Sequence, residues 1–163
     1  MIRLLDLYEG TGIRAGALEF LYELMKERQT EPEVNISNHG LPTFEHHRAF
    51  WTRRPYRVIH LIEAIDFKVT APKLDWSDAW IGYVSATQRN ELGIVLLKAW
   101  RGHGFGSAAL RAFMTMHQPL EAVPGERSAH WLANINPANE RSIATFGKLG
   151  FKLVQQTYEL KEE

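Results

Sequence analysis

Arg101-Gly102-His103-Gly104-Phe105-Gly106-Ser107 is the stretch of this chain whose residue types are arranged for chemistry. Its glycines alternate with side chains directly after an apolar run, residues 92–97, and directly before an amphipathic pattern with helical spacing. Lacking a Cβ, glycines let successive backbone N–H groups converge, and a helix start adds unpaired N–H groups and the positive end of its dipole. A strand, loop and helix start of this kind hold an anion, and a pyrophosphate is the natural guest. Spacing narrows which one. The dinucleotide fingerprint G-x-G-x-x-G fails, because counted from Gly102 its third glycine would fall at Ser107, and no acidic residue follows at the required offset in a second strand. The triphosphate loop G-x-x-x-x-G-K-[ST] fails as well, since neither Gly-Lys-Ser nor Gly-Lys-Thr occurs anywhere.

What the loop does spell is R-x-x-G-x-G. Further along, Asn134-Ile135-Asn136-Pro137-Ala138-Asn139 leads through a helical pattern to Leu149-Gly150-Phe151. The two blocks, in this order, resemble the GNAT superfamily of acyl-CoA-dependent N-acyltransferases over residues 90–155, and residues 1–90 match in the order of their elements. The resemblance implies an α/β (α+β) fold in a single domain, residues 1–163: a central mixed, mostly antiparallel sheet flanked by helices, its fourth and fifth strands splayed around the pantetheine arm. It also implies acetyl-CoA (coenzyme A) as co-substrate, no metal, and direct acetyl transfer to a primary amine.

Site roles follow from the same resemblance. Ile94 and Leu96 would border the arm, with the Leu96 N–H facing the acyl carbonyl, and the loop from Arg101 through Gly102, His103, Gly104, Phe105, Gly106 and Ser107 would hold the pyrophosphate. Asn136, Asn139 and Phe146 would line the coenzyme. Phe146 stands where many members carry a tyrosine that protonates the departing thiolate, so the acid is missing and Ser142, one helical turn earlier, is left to act through water. The attacking amine must be neutral, which calls for a base. Glu91, in a Glu-Leu-Gly-Ile segment similar to a family Glu-Ile-Gly-Ile, is the first choice, with His46, His47 and His60 as alternatives. The acceptor pocket is expected around His46, Trp51, Tyr56, Tyr83 and His39. Aromatics with polar tips suit an amino sugar on a nucleotide, and the same residues fit the lid of an enzyme that acetylates protein N-terminal or side-chain amines. A coenzyme-binding sensor or assembly module without catalysis is the reading of another class that Phe146 leaves open.

Composition limits the alternatives. With 163 residues and 45% apolar content the chain can build one core. Lys plus Arg number 19, as do Asp plus Glu, so no net field draws the chain to nucleic acid. Cysteine is absent, which removes disulfides, thiolate metal sites and a cysteine acyl-enzyme. No apolar run approaches membrane length and the N-terminal residues lack a secretory pattern, so a cytoplasmic protein without membrane partners is expected. Exposed aromatics near the C-terminus would allow a homodimer.

The elements that must position the loop can be read from periodicity. Residues 2–7, 56–64, 79–87 and 91–97 read as strands, the last two joined by a turn near Arg89 and Asn90, and residues 130–135 and 152–160 read as the fifth and final strands. Ala17, Phe20, Leu21 and Leu24 mark a first helix, Thr43 caps a second running to about Arg53, and Leu110, Phe113, Met114 and His117 stripe a third. Asn139 caps the fourth, and Gly150 ends it in the left-handed conformation.

Overall fold

A computed structural model describes residues 1–34, 40–65 and 80–158. Its elements are β1 (Ile2–Asp6), a small hairpin of β2 (Tyr8–Glu9) and β3 (Gly12–Ile13), α1 (Ala17–Gln29), α2 (Phe44–Thr52), β4 (Val58–Ala64), β5 (Trp80–Ala86), β6 (Leu92–Leu96), α3 (Phe105–Met116) and α4 (Glu140–Lys148), with 3-10 turns at Pro32–Val34 and Lys98–Trp100. The main sheet runs β1-β4-β5-β6, every pair antiparallel.

Period-two alternation along the strands sorts side chains onto two faces, and each face has its own core. Ile94 and Leu96 lie with Ile62, Val84, Leu110 and Phe113 on the α3 side, while Ile59, Leu61, Tyr83 and Val95 lie with Phe20, Leu24 and Trp51 under α1 and α2. The predicted stripes are buried: Ala17, Phe20, Leu21 and Leu24 on α1, and Leu110 and Phe113 on α3. His117 falls one residue past the end of α3, as its C-cap. Thr43 Oγ1 accepts the His46 N–H at 3.3 Å and Asn139 Oδ1 accepts the Ser142 N–H at 3.0 Å, so both expected caps form. Gly150 has φ +92°, and the Phe151 N–H returns to the Phe146 carbonyl at 3.1 Å, closing α4 as a left-handed glycine allows.

Two strand expectations need correction. Residues 130–135 make one parallel bridge to the sheet, Glu91 with Leu132, rather than a ladder. Residues 152–158 form no strand, with Leu153 77%, Val154 81% and Tyr158 86% exposed. An edge strand needs a neighbouring ladder to donate to and accept from, and one bridged pair does not provide it. The remainder of the expected final strand, and the start of the one over residues 79–87, lie outside the described residues.

Candidate functional site

β6 turns an unpaired edge toward the segment that follows Leu132. The Leu97 N–H donates to Ile81 on β5 (2.9 Å), and the Leu92 N–H donates in the opposite direction, to the Leu132 carbonyl (2.8 Å). Successive N–H groups of an antiparallel strand alternate sides, so the N–H groups of Ile94 and Leu96 share the direction of Leu92 and face away from β5. Beyond Leu132 no further bridge joins residues 133–136 to β6 among the described residues, and the Asn134 side chain reaches back to Glu91 Oε1 at 3.1 Å. A slot therefore opens between β6 and residues 133–136.

The glycine loop closes one end of this slot. Gly102 and Gly104 are both left-handed, with φ +83° and +82°. A Cβ at either would meet nothing within 4 Å, so backbone conformation rather than space demands glycine there. Gly104 is the N-cap of α3 and makes no side-chain cap hydrogen bond, so the first-turn N–H groups of Gly106 and Ser107 point out of the helix start. Phe105 itself is buried edge-on against Trp100, ring centroids 5.6 Å apart, and His103 is exposed. Gly106 lies against Ile94 and Leu96: a Cβ there would sit 3.7 and 3.6 Å from their side chains, so the helix start and the strand edge pack as one wall.

Arg101, expected at the pyrophosphate, is held by partners within the chain. Its Nε donates to the Leu96 carbonyl at 2.8 Å, Nη1 pairs with Glu31 and Nη2 with Glu27 at 3.3 Å, while its N–H goes to Lys98 at 3.2 Å. With the side chain 12% exposed, its guanidinium and N–H are both engaged within the protein. Burial works to raise the Glu31 carboxyl, but hydrogen bonding and charge from Arg101, assisted by Lys98, hold it below the usual carboxylate range. Glu27 and Glu31 were not singled out from the sequence. They stand 74 and 70 residues before Arg101, and no local pattern signals a pairing of that range.

At the other end of the slot, Glu91 Oε2 accepts the Thr87 hydroxyl at 2.9 Å, so both of its carboxylate oxygens are engaged where the chains part. Asn136 Oδ1 accepts the Ala138 N–H at 2.9 Å in a side-chain turn that leads into the Asn139 cap. Ser142 is half-buried in the first turn of α4. Phe146 is 4% exposed and packs edge-on against Phe151 at 5.0 Å, a core contact. Between Arg101, the Glu31–Val34 turn and residues 138–141 lies a cleft of about 360 Å³ bordered by charges of both signs, Glu31, Glu33, Glu140, Arg101 and Arg141.

The aromatics assigned to the acceptor lie deeper than expected. Trp51 is 3% exposed and Tyr83 9%, packed with each other and with Tyr56, so they form the floor of the α1–α2 face rather than an open pocket wall. Burial raises the Tyr56 hydroxyl, and its neighbour Tyr83 adds to the shift; burial also raises Tyr83. His46 is exposed on α2. His47 is 1% exposed and donates from Nε2 to the Leu18 carbonyl at 3.0 Å. His60 faces α3, its Nε2 2.8 Å from that of His117, on the sheet face opposite Trp51. His39 lies outside the described residues.

A splayed strand edge running into a glycine-rich helix start is the arrangement of an acyl-CoA-dependent transferase. The profile of the acetyltransferase (GNAT) domain matches residues 16–152, and the chain belongs to this family of N-acetyltransferases. Among solved structures it is similar to a domain from Methanocaldococcus jannaschii (TM-score 0.68, 21% identity, covering 98% of this chain and 93% of that one). It is similar also to RimL, a ribosomal L7/L12 α-N-protein acetyltransferase in complex with coenzyme A (0.62, 17%, 94% and 81%). A third is the ribosomal-protein-alanine N-acetyltransferase of Brucella melitensis (0.56, 21%, 93% and 84%). Comparison with curated protein sequences finds no significant match. Among the described residues no helix is long and apolar enough to cross a membrane, and no group of three or more metal-ligating side chains occurs.

Proposed function

We propose that this protein, as one acetyltransferase domain over residues 1–163, moves an acetyl group from acetyl-CoA directly to the α-amine at a polypeptide N-terminus. The observation that carries the coenzyme assignment is the direction of the Ile94 and Leu96 N–H groups, turned out along a slot that ends at an uncapped, glycine-rich helix start. The coenzyme supplies an activated thioester. Ile94 and Leu96 pair with its extended arm as a further strand would, and the N–H groups of the loop and the first turn of α3 hold its phosphates.

The Leu96 N–H serves as the donor for the charge that develops on the acyl oxygen. Such a donor, fixed beforehand, lowers a barrier by about 3 kcal/mol. Arg101 holds the following peptide by donating to the Leu96 carbonyl, which points to the same side of the strand as the Leu96 N–H. Glu91, through a water, takes the proton of the attacking amine. With Phe146 in the core, the thiolate leaves with its proton drawn from water by way of Ser142, or unassisted, as a thiol pKa near 8.5 permits.

The acceptor class follows from how little acid–base help the site offers. At pH 7 an α-amine of pKa near 7.8 is roughly one-seventh neutral, whereas an alkylamine near 10.4 is neutral about once in 2,500 molecules. An α-amine suits a site whose candidate base already holds two hydrogen bonds. The amino-sugar nucleotide reading drew on His46, Trp51, Tyr56, Tyr83 and His39, and the burial of Trp51 and Tyr83 weakens it. RimL and the Brucella enzyme, both named for acetylating ribosomal proteins, favour the same choice.

The test is turnover of acetyl-CoA with three acceptors: peptides with free N-termini, the same peptides N-terminally blocked but containing lysine, and amino-sugar nucleotides. Turnover with the first group alone is expected. Turnover with the amino-sugar nucleotides alone would replace the acceptor and keep the chemistry. No turnover together with no thermal stabilisation by acetyl-CoA would overturn both, since a ligand at one hundred times its Kd should stabilise by about 2.7 kcal/mol.

A further inference from the structure

Asn90, in the turn between β5 and β6, is fully buried, with 0% exposure and a left-handed backbone, φ +62°. Every polar group it carries is engaged. Its Oδ1 accepts the Leu120 N–H at 2.8 Å, and its Nδ2 donates to the Leu120 carbonyl at 2.9 Å and the Ser128 carbonyl at 2.8 Å. Its N–H donates to Thr87 at 3.2 Å and its carbonyl accepts the Leu132 N–H at 2.9 Å. One side chain thus joins the β5–β6 turn to the chain on either side of residues 121–127, and the residue's backbone carbonyl makes half of the Glu91–Leu132 bridge beyond which the slot opens.

Residues 118–130 have no helix or ladder to set their course. Side chains bonded to carbonyls set it instead: Asn90 at the centre, Arg57 on Gln118 (3.2 Å), and Arg127 on Glu121 (2.8 Å) and Gln88 (3.1 Å). The direction in which the chain leaves Ser128, and hence its distance from β6 past Leu132, depends on where the Asn90 carboxamide holds it. Asparagine meets both demands of the position, since it tolerates positive φ and carries donors and an acceptor on one short side chain.

We propose that Asn90 is a positioning residue for acetyl transfer: by anchoring Leu120, Ser128 and Leu132 it sets where β6 and residues 130–135 part, and so the width of the slot that takes the pantetheine arm. The inference rests on the acetyl-CoA reading above and deepens it. It separates the two halves of the coenzyme, because the glycine loop that holds the phosphates makes none of these contacts with Asn90.

The experiment compares wild type with Asn90→Gly, which keeps the left-handed turn and removes the carboxamide, and with Leu120→Pro, which removes the N–H that Asn90 Oδ1 accepts together with the leucine side chain and the φ freedom of that residue. KM for acetyl-CoA, kcat at saturation, and competitive inhibition by the nucleotide half of the coenzyme, adenosine 3′-phosphate 5′-diphosphate, are measured on each. For N90G the KM is expected to rise about tenfold, within the roughly hundredfold that a misplacement of about 1 Å can cost, with the inhibition constant of the nucleotide half unchanged; L120P should show a rise with the same split. Unchanged KM in folded N90G, or an equal loss for acetyl-CoA and its nucleotide half, would overturn the proposal. Should N90G not fold, L120P decides by the same criterion. Failure of wild type to respond to acetyl-CoA would instead remove the coenzyme reading itself.

Discussion

Glu91 illustrates how one carboxylate can serve both architecture and chemistry. Its hydrogen bonds from Thr87 and Asn134 bridge the root of the slot, so a substitution must separate lost charge from a lost tie. Glu91→Gln keeps an acceptor and removes the base. It should lower kcat/KM about a hundredfold at pH 7 and progressively less toward pH 9, where the amine is already neutral; a pH–rate profile reads this directly. A loss independent of pH would assign Glu91 to architecture alone. Phe146 poses the reverse case, a position where the family often carries an acid and this chain carries a core ring. Because Phe146 is 4% exposed against Phe151, Phe146→Tyr should cost about 1–3 kcal/mol of stability for a hydroxyl without a partner, and should not raise kcat. Thermal unfolding and single-turnover rates check the two halves of that statement.

At the scale of elements, glycines do two different jobs around β6. Gly82 on β5 lies opposite Leu96, and a Cβ there would overlap the Val95 carbonyl oxygen and come within 2.8 Å of the Leu96 side chain. Gly82→Ala should therefore push the two strands apart, costing about 3 kcal/mol and spoiling the Leu96 edge with it. Gly104 has open space but positive φ. Gly104→Ala should cost only about 1–2 kcal/mol in stability, while raising KM for acetyl-CoA because the helix start is re-aimed. Denaturant unfolding of both variants, set beside their acetyl-CoA kinetics, separates a packing glycine from a binding one. The Arg101–Glu31–Glu27 group acts at the same scale, joining the end of α1 and the turn after it to the carbonyl of the strand edge.

Across the whole molecule, histidines are buried on both faces of the sheet. Burial lowers His47, and burial with a neighbouring charge lowers His60 and His117, the neighbours being His117 and Arg57 respectively. Unfolded histidines titrate near 6.5, above these folded values, so the unfolded chain takes up protons first as pH falls. Their contribution is complete above pH 6.5 and declines below it; Glu31, lowered by Arg101, weakens folding only at more acid pH. The melting temperature should be level from pH 8 to 7 and fall between 6.5 and 5, and His47→Gln, which can still donate to Leu18, should flatten the fall. By itself the sequence determined what depends on residues within a turn or two of each other. The R-x-x-G-x-G loop, the stripe on α1, the Thr43 and Asn139 caps and the left-handed Gly150 were legible because spacing, capping and φ preference are local. Only the tertiary structure decided that Arg101 faces two glutamates from α1 and the turn beyond it, that Trp51 and Tyr83 lie beneath the surface, that residues 152–158 find no ladder, and that Asn90 ties three segments together. Each of these depends on which distant stretches meet in space, and the energy of a buried contact is set by that meeting rather than by spacing along the chain.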